Sequence, residues 1–151
     1  MQVPEYVTKE EVRRVCQELS ISDWSARLDD SVDRFEAEII LREINVERLP
    51  VPLDGFVAGL RVELEHGTRF SDANVTNNHP LLTGMIVLAH LHESMDYYER
   101  IAVMELEADL AKAVAAGDAD RAHSVYRRLL EARQGRDRSE LAALTSVKAP
   151  S

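Results

Sequence analysis

Two short stretches of the sequence carry residue types suited to metal chemistry. Glu63-Leu64-Glu65-His66 holds a Glu-x-x-His pair, and His90-Leu91-His92-Glu93 holds its inverse, His-x-x-Glu. Residues three apart on a helix share one face and can share a cation, and Glu-x-x-His is the element from which helical bundles build dinuclear carboxylate sites. Imidazole nitrogen with carboxylate oxygen suits Zn, Fe, Mn or Ni better than Ca or a thiolate-seeking ion. The spacing therefore nominates Glu63, His66, His90 and Glu93 as ligands of one divalent ion bridging a third and a fourth helix. If such a site is catalytic, a metal-bound water or dioxygen is the reactive species.

A plainer assignment competes with this one. In it His66 caps or hydrogen-bonds at its helix end, His90 is a satisfied core histidine, and Glu63, Glu65 and Glu93 are solvated or paired with Arg61 and Arg69. Register bears on the choice, because His90 lies eleven residues past His79, roughly 16 Å along a helix. In an ordinary antiparallel hairpin His66 would lie level with Leu82 or Thr83. Glu63 and His90 then meet only if the helices slide, if they cross steeply, or if a second subunit supplies half the ligands. His79, beside Pro80, reads as a loop or capping residue, and His123 as a surface residue.

The remaining chemistry is weaker. Asp72-x-Asn74-x-Thr76 opens with the rhythm of a calcium loop, but Asn77 stands where glycine is expected and Thr83 where glutamate is required. Gly55 and Gly59 follow no strand and make no phosphate loop. Cys16, in helical register with Val12 and Val15, reads as a small core residue. Asn74-Val75-Thr76 fits a glycosylation acceptor only by chance where no secretory signal is seen.

The elements that must position these residues follow from caps and periodicity. Thr8 and Glu11 form a capping box for a first helix carrying Val12, Val15, Cys16 and Leu19. Asp30 or Ser31 caps a second, with Val32, Phe35, Ile39, Ile40 and Ile44 as its apolar set. Pro50 and Pro52 close that pair. A third helix is predicted over residues 53–66, with Phe56, Leu60 and Leu64 four apart and Gly67 as its stop. After a polar loop over 67–78, Asn78 before Pro80 opens a fourth helix. A fifth spans roughly 95–116 with Tyr97, Tyr98, Ile101, Met104, Ala108 and Ala111 as its packing stripe. A last helix follows the Ala116-Gly117-Asp118 turn over 118–141, with a frayed tail after Leu144. No period-two, β-branched run demands a strand. The expectation is one all-α, bundle-like domain of five to six helices over 1–151, comprising an N-terminal pair (1–50), the motif-bearing helices (53–116) and a C-terminal helix (118–144).

The 151 residues are 45% hydrophobic and 30% charged, enough to bury a core without disulfides. The 27 acids exceed the 18 bases, for a net charge of -9. That balance excludes nucleic acid, whose binding needs clustered Lys and Arg. Residues 1–50 carry 12 acids and 7 bases, residues 51–100 carry 7 and 3, and residues 101–151 carry 8 of each. The acidity thus accompanies the Glu/His motif, where it favours a cation. No apolar run approaches the roughly 20 residues that span a bilayer, so no membrane partner is expected. A single cysteine and no signal-like N-terminus point to the cytoplasm. The long, alanine-rich final helices suggest a homodimer. The alternative to metal binding is accordingly a non-enzymatic helical interaction module.

The segments Val62-Glu63-Leu64-Glu65-His66-Gly67, Leu82 to Glu93, and Asp96-Tyr97-Tyr98 resemble an uncharacterised family of small bacterial and phage proteins. In that family V-E-x-E-H is followed by I-A-x-x-H-L-x-E and a Tyr-Tyr pair. The resemblance covers about residues 56–101 and gives no activity. It implies that Glu63, Glu65, His66, His90, Glu93 and Tyr97 belong to one motif, which adds Glu65 and Tyr97 as further ligand candidates.

Overall fold

In the computed structural model, which describes residues 6–146, the chain is all-α, with six helices and no strand among the described residues. The helices divide between two compact units, one ending at Met95 and the other beginning at Asp96.

The first unit opens with α1 (Lys9–Leu19), whose first turn is capped by Thr8 Oγ1 accepting from the Glu11 amide at 3.2 Å. The Glu11 carboxylate bonds Arg14, so the Glu11 half of the capping box is given over to a side-chain ion pair. Helix α1 buries Val12, Val15 and Cys16, and it ends at Ser20 in the left-handed conformation. A single 3₁₀ turn, Trp24–Ala26, places Trp24 fully in the core.

Helix α2 (Arg34–Ile44) is capped by Asp33, whose carboxylate accepts from the amides of Phe35 and Glu36 at 2.8 and 3.3 Å. The predicted Asp30 or Ser31 cap is corrected. Asp29 instead draws the Ser31 amide and hydroxyl into a local turn, which delays the helix start. The later start leaves Phe35 68% exposed and turns Glu36, Ala37, Ile39 and Ile40 inward.

Helix α3 (Leu53–Arg69) runs through Gly67, so the predicted stop there is also corrected. The glycine serves close approach. A Cβ on Gly67 would lie 2.9 Å from Asn74 Cγ and would collide with Asn78 Oδ1. Asn74 Nδ2 donates to the Gly67 carbonyl at 3.3 Å and to Asn78 Oδ1 at 3.0 Å, drawing the loop across the helix. Asn77 and Asn78 both have positive φ, a conformation asparagine tolerates best among non-glycine residues. Helix α4 (Pro80–Glu93) is capped not by Asn78 but by His79, whose Nδ1 accepts from the Leu82 amide at 3.4 Å, with Pro80 at the first helical position. A Cβ on Gly84 would come within 2.6 Å of Ile44 and 2.8 Å of Ile40, so this glycine sets how closely α2 and α4 approach.

The second unit is a helical hairpin. Helix α5 (Tyr97–Ala115) turns at Gly117, whose φ of +68 suits glycine, into α6 (Ala119–Ser146). Asp118 accepts from the Arg121 amide at 3.0 Å. Val103, Leu106, Val125 and Leu129 form the hairpin core, with Leu110 and Ala132 packed on it. The predicted α5 stripe is corrected, since Met104, Ala108 and Ala111 lie on the exposed side. Apolar residues fall on two faces of α5, and only the Val125 and Leu129 knobs of α6 decide which face is core. The last helix reaches Ser146, and the remainder of the tail predicted to fray lies outside the described residues.

Candidate functional site

Helices α3 and α4 place Glu63 beside both His66 and His90. Phe56 packs toward Gly84 and Glu63 faces His90. That order is the reverse of an antiparallel hairpin, although Asn78, next to the start of α4, touches Gly67 near the end of α3. The packing of α4 on α3 thus lets Glu63 and His90 meet, which the register of an ordinary antiparallel hairpin does not. Phe56, Leu60 and Val87 are fully buried in these helices, and Phe56 reaches toward Gly84.

Glu63 Oε1 lies 3.7 Å from His90 Nε2, and Glu63 Oε2 lies 3.8 Å from His66 Nδ1. The glutamate side chain is 15% exposed, His90 30% and His66 66%. A largely buried carboxylate is thus flanked by two imidazoles on different helices, one half-sheltered and one in solvent. Each oxygen faces a different ring. Among the described residues no three His, Cys, Asp or Glu side chains converge as a ready-made metal cluster.

Glu65 pairs with Arg69 one turn on. Glu93 is exposed at the end of α4. Tyr97 belongs to the second unit, where its ring meets Tyr98 edge-on at 5.2 Å. His92 lies 3.9 Å from Glu47, a contact the sequence did not suggest. His79 is buried at its capping position, and burial pushes its imidazole below the usual histidine pKa, against the raising effect of Glu11. Cys16 is buried as expected, and burial pushes its thiol up.

A second polar cluster was not anticipated. Glu36, on the inner face of α2, accepts from the Ser22 amide at 2.6 Å, from Trp24 Nε1 at 3.0 Å and from Arg27 Nη2 at 2.5 Å. Arg27 also stacks over the Trp24 ring at 4.7 Å, and the Trp24 amide donates to Cys16 Sγ at 3.5 Å. The Arg27 and Glu36 side chains are only 13% and 11% exposed. Burial pushes the Glu36 carboxyl up, but the Ser22, Trp24 and Arg27 donors outweigh it and hold the group below its ordinary value. The available signal was Glu36 itself, one residue after Phe35 and one before Ala37, facing inward once Asp33 caps the helix.

Among the described residues no helix is long and apolar enough to cross a membrane. Residues 12–107, well over half of the chain, match the family described as "Protein of unknown function (DUF5661)". The match extends beyond the 56–101 stretch that carried the resemblance. No curated protein and no solved structure matches the chain.

Proposed function

We propose that this chain, which belongs to the DUF5661 family of proteins of unknown function, takes up one divalent transition-metal ion at the α3–α4 crossing through Glu63, His66 and His90. The observation that carries the reading is the Glu63 carboxylate lying 3.7 and 3.8 Å from imidazoles of two different helices. Those separations exceed a direct hydrogen bond. An ion held at roughly 2.1 Å by each donor spans up to about 4.2 Å between them. Two imidazoles and one carboxylate suit Zn, Fe, Mn or Ni, with water completing the coordination. His66, two-thirds exposed, turns onto the shared ion, and Glu93, one turn beyond His90, stands nearest along α4 as a further carboxylate.

A second reading, from another class, makes the cluster a polar link that fixes the helix crossing in a non-enzymatic interaction module. It is favoured by the two carboxylate oxygens facing different rings. One experiment separates the two: elemental analysis of protein purified without chelator or His-tag, followed by melting with added Zn, Mn, Fe or Ni. Metal binding predicts near-stoichiometric metal, a melting temperature that rises with metal concentration, and loss of both in the His90→Asn variant. A metal-free protein whose melting is unchanged by every ion refutes it. The structural link then predicts that Glu63→Gln alone lowers the melting temperature.

A further inference from the structure

The α5–α6 hairpin carries a second apolar face that the described residues of the unit leave exposed. Met104, Val114, Tyr126, Leu130, Leu141 and Leu144 are between 47% and 70% exposed. Met104 follows the buried Val103 by one residue, Val114 follows Ala113, Tyr126 follows Val125 and Leu130 follows Leu129. One residue turns a helical side chain by about 100°. Because α5 and α6 run antiparallel, that turn carries both sets to the same side of the hairpin. Glu107 and Arg133 follow the core-packed Leu106 and Ala132 in the same way, and their 2.7 Å ion pair shows the two sets side by side. Ser139 bonds Glu99 at 2.9 Å and Arg100 pairs with Glu140, so the start of α5 is level with residues 139–140. Leu141 is level with the first turn of α5, and Leu144 lies beyond it.

The two helices differ in charge. Helix α5 holds four acids and two bases, for a net of -2, and α6 holds six bases and four acids, for +2. We propose that this face binds the same face of a second copy, forming a symmetric four-helix bundle in which α5 of each copy lies on α6 of the other. The two-fold axis then runs parallel to the helices. Val114 packs on the partner's Tyr126, and Glu107 faces the partner's Arg133 as well as its own. Packing α5 on α5 instead sets acidic helix on acidic helix and basic on basic, which costs affinity. The five large side chains level with α5, exposed by about half, leave on the order of 500 Å² per copy, so a pair covers about 1,000 Å² from these alone, the lower bound of a specific interface. The proposal is independent of the metal reading, since α6 lies outside the matched residues.

Light scattering and analytical ultracentrifugation of the full chain test it. The expected mass is twice 17.0 kDa. Leu130→Asp, with helix content confirmed by circular dichroism, weakens the dimer by about 30-fold or more. The placement of Glu107 and Arg133 inside the interface is tested by mixing. Glu107→Arg and Arg133→Glu each place like charges at the centre of their own homodimers, so each dimerises more weakly than the unaltered chain, and together they form a one-to-one heterodimer by native mass spectrometry. A monomer at 100 µM overturns the proposal, and so does a dimer indifferent to both Leu130→Asp and the charge changes. A dimer that Leu130→Asp dissociates but whose charge variants show no preference for each other overturns the α5-on-α6 packing.

Discussion

Replacing Glu36 by glutamine removes one charge and almost no volume, and it tests whether the Arg27–Glu36–Trp24 cluster holds the first unit together. In the folded chain the carboxylate receives three donors and is 11% exposed, so the variant leaves the Arg27 guanidinium, 13% exposed, without its counter-charge. Removing one partner of a buried ion pair costs about 3–5 kcal/mol. The glutamine carbonyl still accepts from one donor, which recovers about 1 kcal/mol. The expected loss is therefore about 3 kcal/mol, a fall of roughly 6–12 °C in melting temperature for a chain of this size. Trp24 is the only tryptophan, is fully buried and donates to Glu36, so its emission follows unfolding of this unit in urea. In a double-mutant cycle Arg27→Met, Glu36→Gln is less unstable than the sum of the single changes by about 2 kcal/mol. The pH dependence adds a second readout. Because the folded carboxyl is held below its ordinary value, its contribution is fully present above the unfolded pKa of about 4.3 and is lost as pH falls through the folded value. The unaltered chain and Glu36→Gln thus converge in acid. A Glu36→Gln variant within about 0.5 kcal/mol of the unaltered chain at pH 7, or two strictly additive changes, refutes a coupled cluster.

Two further outcomes follow from the same structure. The buried His79 accepts a backbone hydrogen bond at Nδ1 and is held below the usual histidine pKa, so its contribution is present above about pH 6.5 and falls as pH drops below it. His79→Asn keeps a capping side chain and should flatten the stability profile between pH 7 and 5.5 in urea titrations; an unchanged slope contradicts this account. Gly135→Ala, with open space around the added carbon, should stabilise α6 by up to about 1 kcal/mol. Gly84→Ala, facing Ile40 and Ile44, should destabilise by about 1–3 kcal/mol despite the same gain in helix propensity. Equal effects at the two glycines in thermal melts would falsify the close-approach argument.

The helices were legible because their signals are local. Thr8, Pro52 and Pro80 mark starts that short-range sterics dictate, and Phe56, Leu60 and Leu64 recur at the helical period. What depends on partners was not. Gly67 looks like a stop in sequence because its function is contact with Asn74 and Asn78, which no local pattern encodes. Met104, Ala108 and Ala111 satisfy the helical period as well as Val103, Leu106 and Leu110 do, and packing on α6 chooses between them. Glu36 reads as one more acid in an acidic third of the chain until Asp33 sets the helix phase and turns it toward Trp24 and Arg27.

The Glu63 cluster shows the same division between local pattern and crossing geometry. Spacing placed Glu63 with His66 on one helix turn, and only the packing of α4 on α3 adds His90. That packing depends on Gly84, which lets α4 sit close to Ile40 and Ile44 of α2 while Phe56 reaches it from α3. A side chain at position 84 must push α4 away from α2, and it should therefore move His90 relative to Glu63 without touching either residue. Metal affinity in Gly84→Ala is thus a test of the crossing as well as of the ligands. If the ion is held by both helices, affinity falls in this variant while Gly135→Ala, far along the chain in the other unit, leaves it unchanged. An ion that binds Gly84→Ala as tightly as the unaltered chain is held by one helix alone, through Glu63 and His66, and the crossing is then structural.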